Sequence, residues 1–463
     1  MKQFLKPRTK RALLYLIIAL GAAQVLLGGF WILRNLGHIP QYGDTPEYLR
    51  LAQTLALDNF RTILYPLFLR GPLWLSTRLP IPYQTIVYLC QLIVSYLSLL
   101  YLFTMLRPVS RRGTDQTAKR QSVAINIGLA LFVFTTPLVA HYNLSVLSDS
   151  FALSFTIIFV ASLVGLFAKG SARYGYGAAV MGAYTLMAIT RPERLLIGLA
   201  VAGAVALYFA VAAALKHRIV LHPKVIILIV AIAVGFAGAT IINNYGRGAA
   251  AQRTQPSLAV SLYARVTWPR LAKAYKYLPA DIKKIITRED AITSDRWPTY
   301  YNRVVLDKIL GHKHGGAAAM NRITEVTWGH YYPEIVWSTV GDFTGNLLAP
   351  ATEALNFAIR NQSTDYVESR MSAGHPALTK LYRNYSAVLL GLLIIIAIFA
   401  ALRRIPGAMP GGSAAAVILT FIGVFALFFA LFADPIVNIR YMIPIYVLEY
   451  GVMVSAAAAY LQT

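Results

Sequence analysis

About ten stretches of this chain are apolar for close to the length that crosses a bilayer, and no other feature limits its fold as strongly. They run near residues 12–33, 86–106, 122–140, 151–168, 175–190, 195–215, 225–242, 386–402, 414–432 and 442–460. Each approaches or reaches the roughly 20 residues a helix needs to span the hydrocarbon core. With 57% hydrophobic and only 13% charged residues, the chain has too little polar surface to cover a soluble globule of its length. The expectation is an all-α polytopic membrane protein of about ten transmembrane helices. Short juxtamembrane helices should occupy the first outer loop, and a large, mostly helical loop should follow later in the chain.

Orientation follows from charge. The segment MKQFLKPRTKR places five basic residues ahead of the first run, predicting an uncleaved helix with its N-terminus inside. Alternation then puts inside the loops that carry Arg107, Arg111, Arg112, Lys119, Arg120, Lys169, Arg173, Lys216, Arg218, Lys224, Arg403 and Arg404. The outer turn at 141–150 has no lysine or arginine, as the positive-inside rule requires. Three regions are thereby defined: a transmembrane module over 1–242 containing the first outer loop (34–85), an outer segment over 243–385, and C-terminal helices over 386–463. The net charge of +24 is partly topological, but the outer segment itself holds 18 Lys/Arg against 11 Asp/Glu. A basic outer face suits an anionic lipid or phosphate ligand, or simple attraction to anionic headgroups. Nucleic acid is not an expected partner. The one cysteine, Cys90, lies inside a run, so no intrachain disulfide forms.

In the first outer loop, GDTPEYLRLAQTLALDNFRTILYP, Thr45 followed by Pro46 and Glu47 reads as a helix start with Thr45 as its cap. Asp44 is then available for chemistry. Tyr48, Leu51, Ala52 and Leu55 fall on one helix face, and Leu67–Leu79 is a second candidate surface helix. In the outer segment, Trp297–Leu310 and Glu334–Leu347 read as helices. All six tryptophans lie on the predicted outer side. They serve as an interfacial belt or, being one-sided, as platforms for the apolar faces of sugar rings.

Other ionisable groups gather at the same side. Asp149 in NLSVLSDSF stands before a run with hydroxyls around it, as a helix cap or an active-site acid. Arg191, Glu193 and Arg194 in TRPERLL oppose the topological charge trend, either as an internal ion pair or around a ligand. Arg440 and Tyr441 in DPIVNIRYMIP open the last run, where an arginine offers a phosphate a forked donor or snorkels. His330 in HYYPEIVW reads as a helix-start phosphate contact. His312 and His314 lack a third ligand, so no metal site is expected. There is no HExxH, Walker loop or GxSxG.

The first outer loop resembles the corresponding segment of GT-C class glycosyltransferases, the polytopic family of aminoarabinose transferases, protein O-mannosyltransferases and mycobacterial mannosyl- and arabinosyltransferases. The residues that match are Asp44, Tyr48, Ala52, Arg61, Tyr65 and Pro66. LSDSFALSF, TRPERLL and IRYMIP are similar to further signatures in the same order. Arg61 departs from the pattern, being followed by Thr-Ile-Leu where relatives commonly have proline. The resemblance implies an inverting transferase that uses a polyprenyl-phosphate sugar and no metal or other cofactor. Asp44, with Asp149, would be the catalytic acids, and Arg61, Tyr65, Arg191, Glu193, Arg194, His330, Arg440 and Tyr441 would hold donor phosphate and sugar. Tyr48, Trp297 and Trp328 would serve as acceptor platforms. The implied partners are the lipid-linked donor, a glycolipid, glycan or protein acceptor, and the bilayer. The implied setting is a bacterial inner membrane with the site facing the periplasm. A different class, a lipid or polysaccharide transporter or flippase, shares the basic profile but calls for polar groups at mid-membrane. Among the runs only Glu449 supplies a charge of that kind. A structural subunit of an envelope-assembly complex would leave Asp44 replaceable.

Overall fold

The apolar runs fall on helices in the computed structural model, that near 122–140 being divided over two; the structure describes residues 7–36, 44–55, 62–106, 116–168, 173–191, 193–214, 223–245, 266–296, 304–305, 308–309, 316–348, 376–402, 412–432 and 438–462. In chain order the first ten helices are α1 (Pro7–Asn35), α2 (Thr45–Thr54), α3 (Leu64–Ser76), α4 (Tyr83–Leu106), α5 (Gln116–Phe134), α6 (Pro137–Asn143), α7 (Asp149–Ala168), α8 (Arg173–Thr190), α9 (Glu193–Ala214) and α10 (Pro223–Tyr245). Short pieces follow: α11 (Leu271–Ala274), α12 (Ala280–Lys283) and α13 (Arg288–Arg296). Then come α14 (Gly316–Leu347), α15 (Pro376–Leu402), α16 (Gly412–Phe432) and α17 (Asn438–Gln462). Among the described residues there is no strand.

By length and composition the chain is a multi-pass integral membrane protein. Six helices qualify as spans, in α1, α4, α7, α10, α15 and α16, and α5 with α6 makes a seventh if that bent pair is counted as one. The expected number was about ten. Among the described residues the apolar stretches Arg194–Tyr208 of α9 and Met442–Ala457 of α17 are shorter, and α8 is not among the six. The span expected to begin near 386 starts at Pro376.

The chain divides into two compact units. The first comprises Met1–Gly248, Ala349–Val424 and Ile443–Thr463, and the second Ala249–Leu348 with Phe425–Met442. In the first unit, helix ends segregate. Trp31 near the end of α1 donates from Nε1 to Thr379 Oγ1 of α15 at 3.1 Å, and Ser386 of α15 donates to Gln24 Oε1 at 2.8 Å, so these helices run antiparallel. Lys224 at the start of α10 reaches the Phe167 carbonyl at the end of α7, whereas Asn243 near the other end of α10 reaches Ala188 near the end of α8. One end of this unit therefore collects the start of α7 and the ends of α8 and α10.

The α5–α6 bend of 76° falls at Thr135–Thr136, before Pro137. Proline cannot donate to the preceding turn and disfavours helical geometry in the residue before it. The freed Thr135 carbonyl accepts from Gln24 Nε2 at 2.8 Å and from the Tyr382 hydroxyl, and all three side chains are buried. Broken helix in a bilayer persists where such partners re-satisfy the backbone.

The second unit has its own core, built from Leu271, Leu278, Ile282, Ile286, Ala291, Val305, Ile309, Met320 and Ile323. Helix α14 kinks at Tyr331 (φ −128°, ψ 18°), two residues before Pro333. The expected helix over Glu334–Leu347 is the second limb of this longer one. Buried Arg270 holds that limb through the Glu334 carbonyl (3.1 Å) and Ser338 Oγ (2.8 Å). The other expected helix, Trp297–Leu310, lies mostly outside the described residues.

Candidate active site

The connection from α6 to α7, residues 144–148, is non-helical and wholly buried, so its polar groups need partners from neighbouring elements. Gln91 of α4 donates to the Ser145 carbonyl at 2.9 Å, and Thr45 of α2 donates to the Val146 carbonyl at 3.2 Å. Tyr48 Oη and Ser148 Oγ share a hydrogen bond of 2.9 Å. Behind them Asn143 donates to Ser95 Oγ and accepts from Ser150 Oγ. This buried strap fixes Asp149, the first residue of α7.

Asp149 is 7% exposed at its side chain and accepts from Arg191 Nη2 at 2.6 Å, the arginine being 14% exposed. Arg191 thus pairs across to α7; the side chain of Glu193 lies outside the described residues. Arg194 is buried one turn on, and its amide donates to the Arg191 carbonyl. Between α2 and α3, Thr62 donates to the Thr190 carbonyl at 2.8 Å, tying that connection to the end of α8 beside Arg191.

Asp44 immediately precedes α2 and is half-buried; its carbonyl accepts from the Tyr48 amide. It occupies the cap position without a capping side-chain bond. Thr45, expected as the cap, is instead buried with its hydroxyl spent on the strap. Leu55, expected on the apolar face, ends α2 in the left-handed region at φ 52°. The second loop helix spans Leu64–Ser76 rather than Leu67–Leu79, which brings Tyr65 into the core. Tyr65 packs edge-on to Tyr48 with ring centroids 5.0 Å apart, and its hydroxyl reaches Gln91 Oε1 at 3.4 Å. Burial pushes the Tyr48 hydroxyl above the usual tyrosine range. Arg191 and the Ser148 bond pull it down, and the Asp149 and Asp44 carboxylates add to the rise. Tyr65 is raised further, first by burial and then by Tyr48, with Asp149 contributing.

Asp44, Tyr48, Tyr65, Asp149, Arg191 and Arg194 are therefore brought to one end of the first unit. Tyr48 is 6% exposed and cannot offer a sugar an open ring face; it positions the strap instead. His330 does not start a helix: it sits inside α14 next to the kink, stacked on Tyr277 with centroids 3.8 Å apart. His330 and the half-exposed Trp328 belong to the second unit. Arg61, Trp297, His312 and His314, and the side chains of Arg440 and Tyr441, lie outside the described residues. The supporting residues Gln91, Asn143 and Ser148 were not singled out by the sequence; their signal is polarity inside or beside apolar runs. Among the described residues no group of three His, Cys, Asp or Glu side chains is placed to hold a metal ion.

No family model, curated protein or solved structure matches this chain. The functional reading rests on the side chains just described.

Proposed function

We propose that this protein is an inverting glycosyltransferase that moves a sugar from a polyprenyl-phosphate donor to a hydroxyl acceptor on the extracytoplasmic side of the membrane. The observation that carries the reading is the convergence of Asp44, Asp149 and Arg191, from three separate segments, at one end of the helical unit. Two carboxylates and guanidinium groups at a membrane-facing end are what such a transfer needs. The acceptor oxygen attacks the anomeric carbon while its proton passes to Asp44, the more accessible acid. The bond from that carbon to the phosphate oxygen breaks, and the lipid phosphate departs with the electron pair. Its developing charge is met by Arg191 and Arg194 as fixed donors. Asp149, already engaged by Arg191, orients that guanidinium rather than taking the proton.

The test is transfer from a panel of polyprenyl-phosphate sugars by purified protein and its Asp44→Asn variant. Turnover should fall by roughly 100-fold or more while donor binding is retained. Wild-type protein that binds these donors but transfers none, or a variant with unchanged turnover, would overturn the assignment.

A further inference from the structure

The second unit contains an open cavity of about 410 Å³ lined by Ala272, Lys273, Tyr275, Lys276, Arg288 and Tyr331. Its volume lies in the range of small-molecule sites. Its wall carries three cations and two tyrosines and no acid. Two acids of this unit pair away from the wall, and a third pairs with one of its lysines. Asp281 pairs with Arg322 at 2.7 Å, Asp290 pairs with Lys308 at 2.7 Å, and Glu334 sits 3.5 Å from Lys273. Among the described residues neither Lys276 nor Arg288 has a carboxylate partner.

The wall is also held in place. Arg288 opens α13, whose first turn is closed by the reciprocal Thr287–Asp290 bonds. Lys283 donates to the Lys276 carbonyl at 3.1 Å and lies 5.7 Å from the Tyr275 ring centroid. Tyr331 stands at the non-helical residue of α14, whose second limb is anchored by Arg270. A guanidinium and two ammonium groups around one opening match the geometry and charge of a phosphate, and tyrosine rings beside them suit the apolar face of a sugar.

We propose that this cavity binds a phosphorylated saccharide or a lipid phosphate headgroup, with Lys276 and Arg288 on the phosphate and Lys273 shared between it and Glu334. This site shares no residue with the Asp44 cluster, and binding there stands whether or not the chain is a transferase. The test uses the full chain in detergent, with calorimetric binding of glucose 1-phosphate and of dihexanoyl phosphatidate. Glucose and dihexanoyl phosphatidylcholine are the controls without an anionic phosphate monoester. At least one phosphate ligand should bind, its control should not, and affinity should fall with added salt. Preference for glucose 1-phosphate identifies a soluble sugar phosphate as the ligand, and preference for phosphatidate a membrane lipid. The Lys276→Gln, Arg288→Gln variant should bind at least roughly tenfold more weakly, since two charge-assisted bonds are lost. Arg288→Lys should retain most of the affinity, and Asp44→Asn all of it. Binding of neither phosphate, equal binding of the controls, or double-variant affinity equal to wild type would each overturn the proposal.

Discussion

Arg191, just beyond the end of α8, donates to the carboxylate of Asp149 at the start of α7 across 2.6 Å. These helices are consecutive, so the pair joins the two ends that the intervening turn does not. Both side chains are largely buried. Removing one member of such a pair leaves an uncompensated charge, typically at a cost of about 3–5 kcal/mol, whereas replacing both is far milder. Arg191→Gln should therefore lower the unfolding temperature more than the Asp149→Asn, Arg191→Gln double variant does, measured by thermal denaturation in one detergent. A double variant less stable than the single would show that the pair does not carry this end of the bundle.

The convergence of Asp44, Asp149 and Arg191 was legible because counting apolar runs and loop charge puts all three at one face, independent of how the helices pack. The supporting network was not. Gln91 and Asn143 sit within or beside apolar sequence, and nothing local says which carbonyl each will meet. Thr45 was misread for the same reason: as a helix opener it looks like a cap, and only the buried strap gives its hydroxyl a different acceptor. By length and composition the described residues support six spans, or seven with the bent pair, where the sequence predicts about ten; α9 and α17 register there as shorter apolar helices. His330 was misplaced because Pro333 reads as a helix start, whereas α14 continues through it with a kink.

Tyr48 gives a pH signature. Its hydroxyl is held protonated by burial, above the ordinary tyrosine value. A group raised on folding contributes stability that is fully present below its unfolded value, about 10, and is lost as pH rises through the folded one. Wild-type stability should therefore be insensitive to this group at neutral pH and decline in the alkaline range. Tyr48→Phe should start about 1 kcal/mol lower through loss of the Ser148 bond and decline less steeply. Urea titrations across pH 7–11 check this, and parallel slopes for the two proteins would remove Tyr48 from the account.

In the second unit, Thr287 and Asp290 exchange bonds at the start of α13, in the manner of a capping box. Asp290 also accepts from Lys308 through both oxygens, at 2.7 and 2.8 Å. Thr287→Ala removes only one cap bond and should cost about 1 kcal/mol. Asp290→Ala removes a cap and strands Lys308 beside a buried position, so it should cost clearly more. Amide hydrogen exchange over 271–296 reports both, and equal protection in the two variants would contradict the shared role of Asp290.

Gly28 and Gly29 are neighbours on α1 with opposite surroundings. A methyl group on Gly28 would stand 2.5 Å from the Thr135 carbonyl oxygen and 2.8 Å from Thr135 Cβ, whereas nothing lies within 4 Å of one on Gly29. The Thr135 carbonyl is the acceptor for Gln24 and Tyr382 at the α5–α6 bend, so it cannot retreat without loosening those bonds. Gly28→Ala should destabilise by about 1–3 kcal/mol, the usual cost of overpacking. Gly29→Ala should be neutral or gain up to about 1 kcal/mol from helix propensity. Gln24→Leu separates the steric from the polar contribution: it leaves the close approach intact but deprives the broken backbone of a donor, and should fall on the destabilised side as well. Thermal unfolding of the three variants in detergent tests the point. Equal behaviour of the two glycine variants would mean that α1 does not approach the bend as closely as this packing requires.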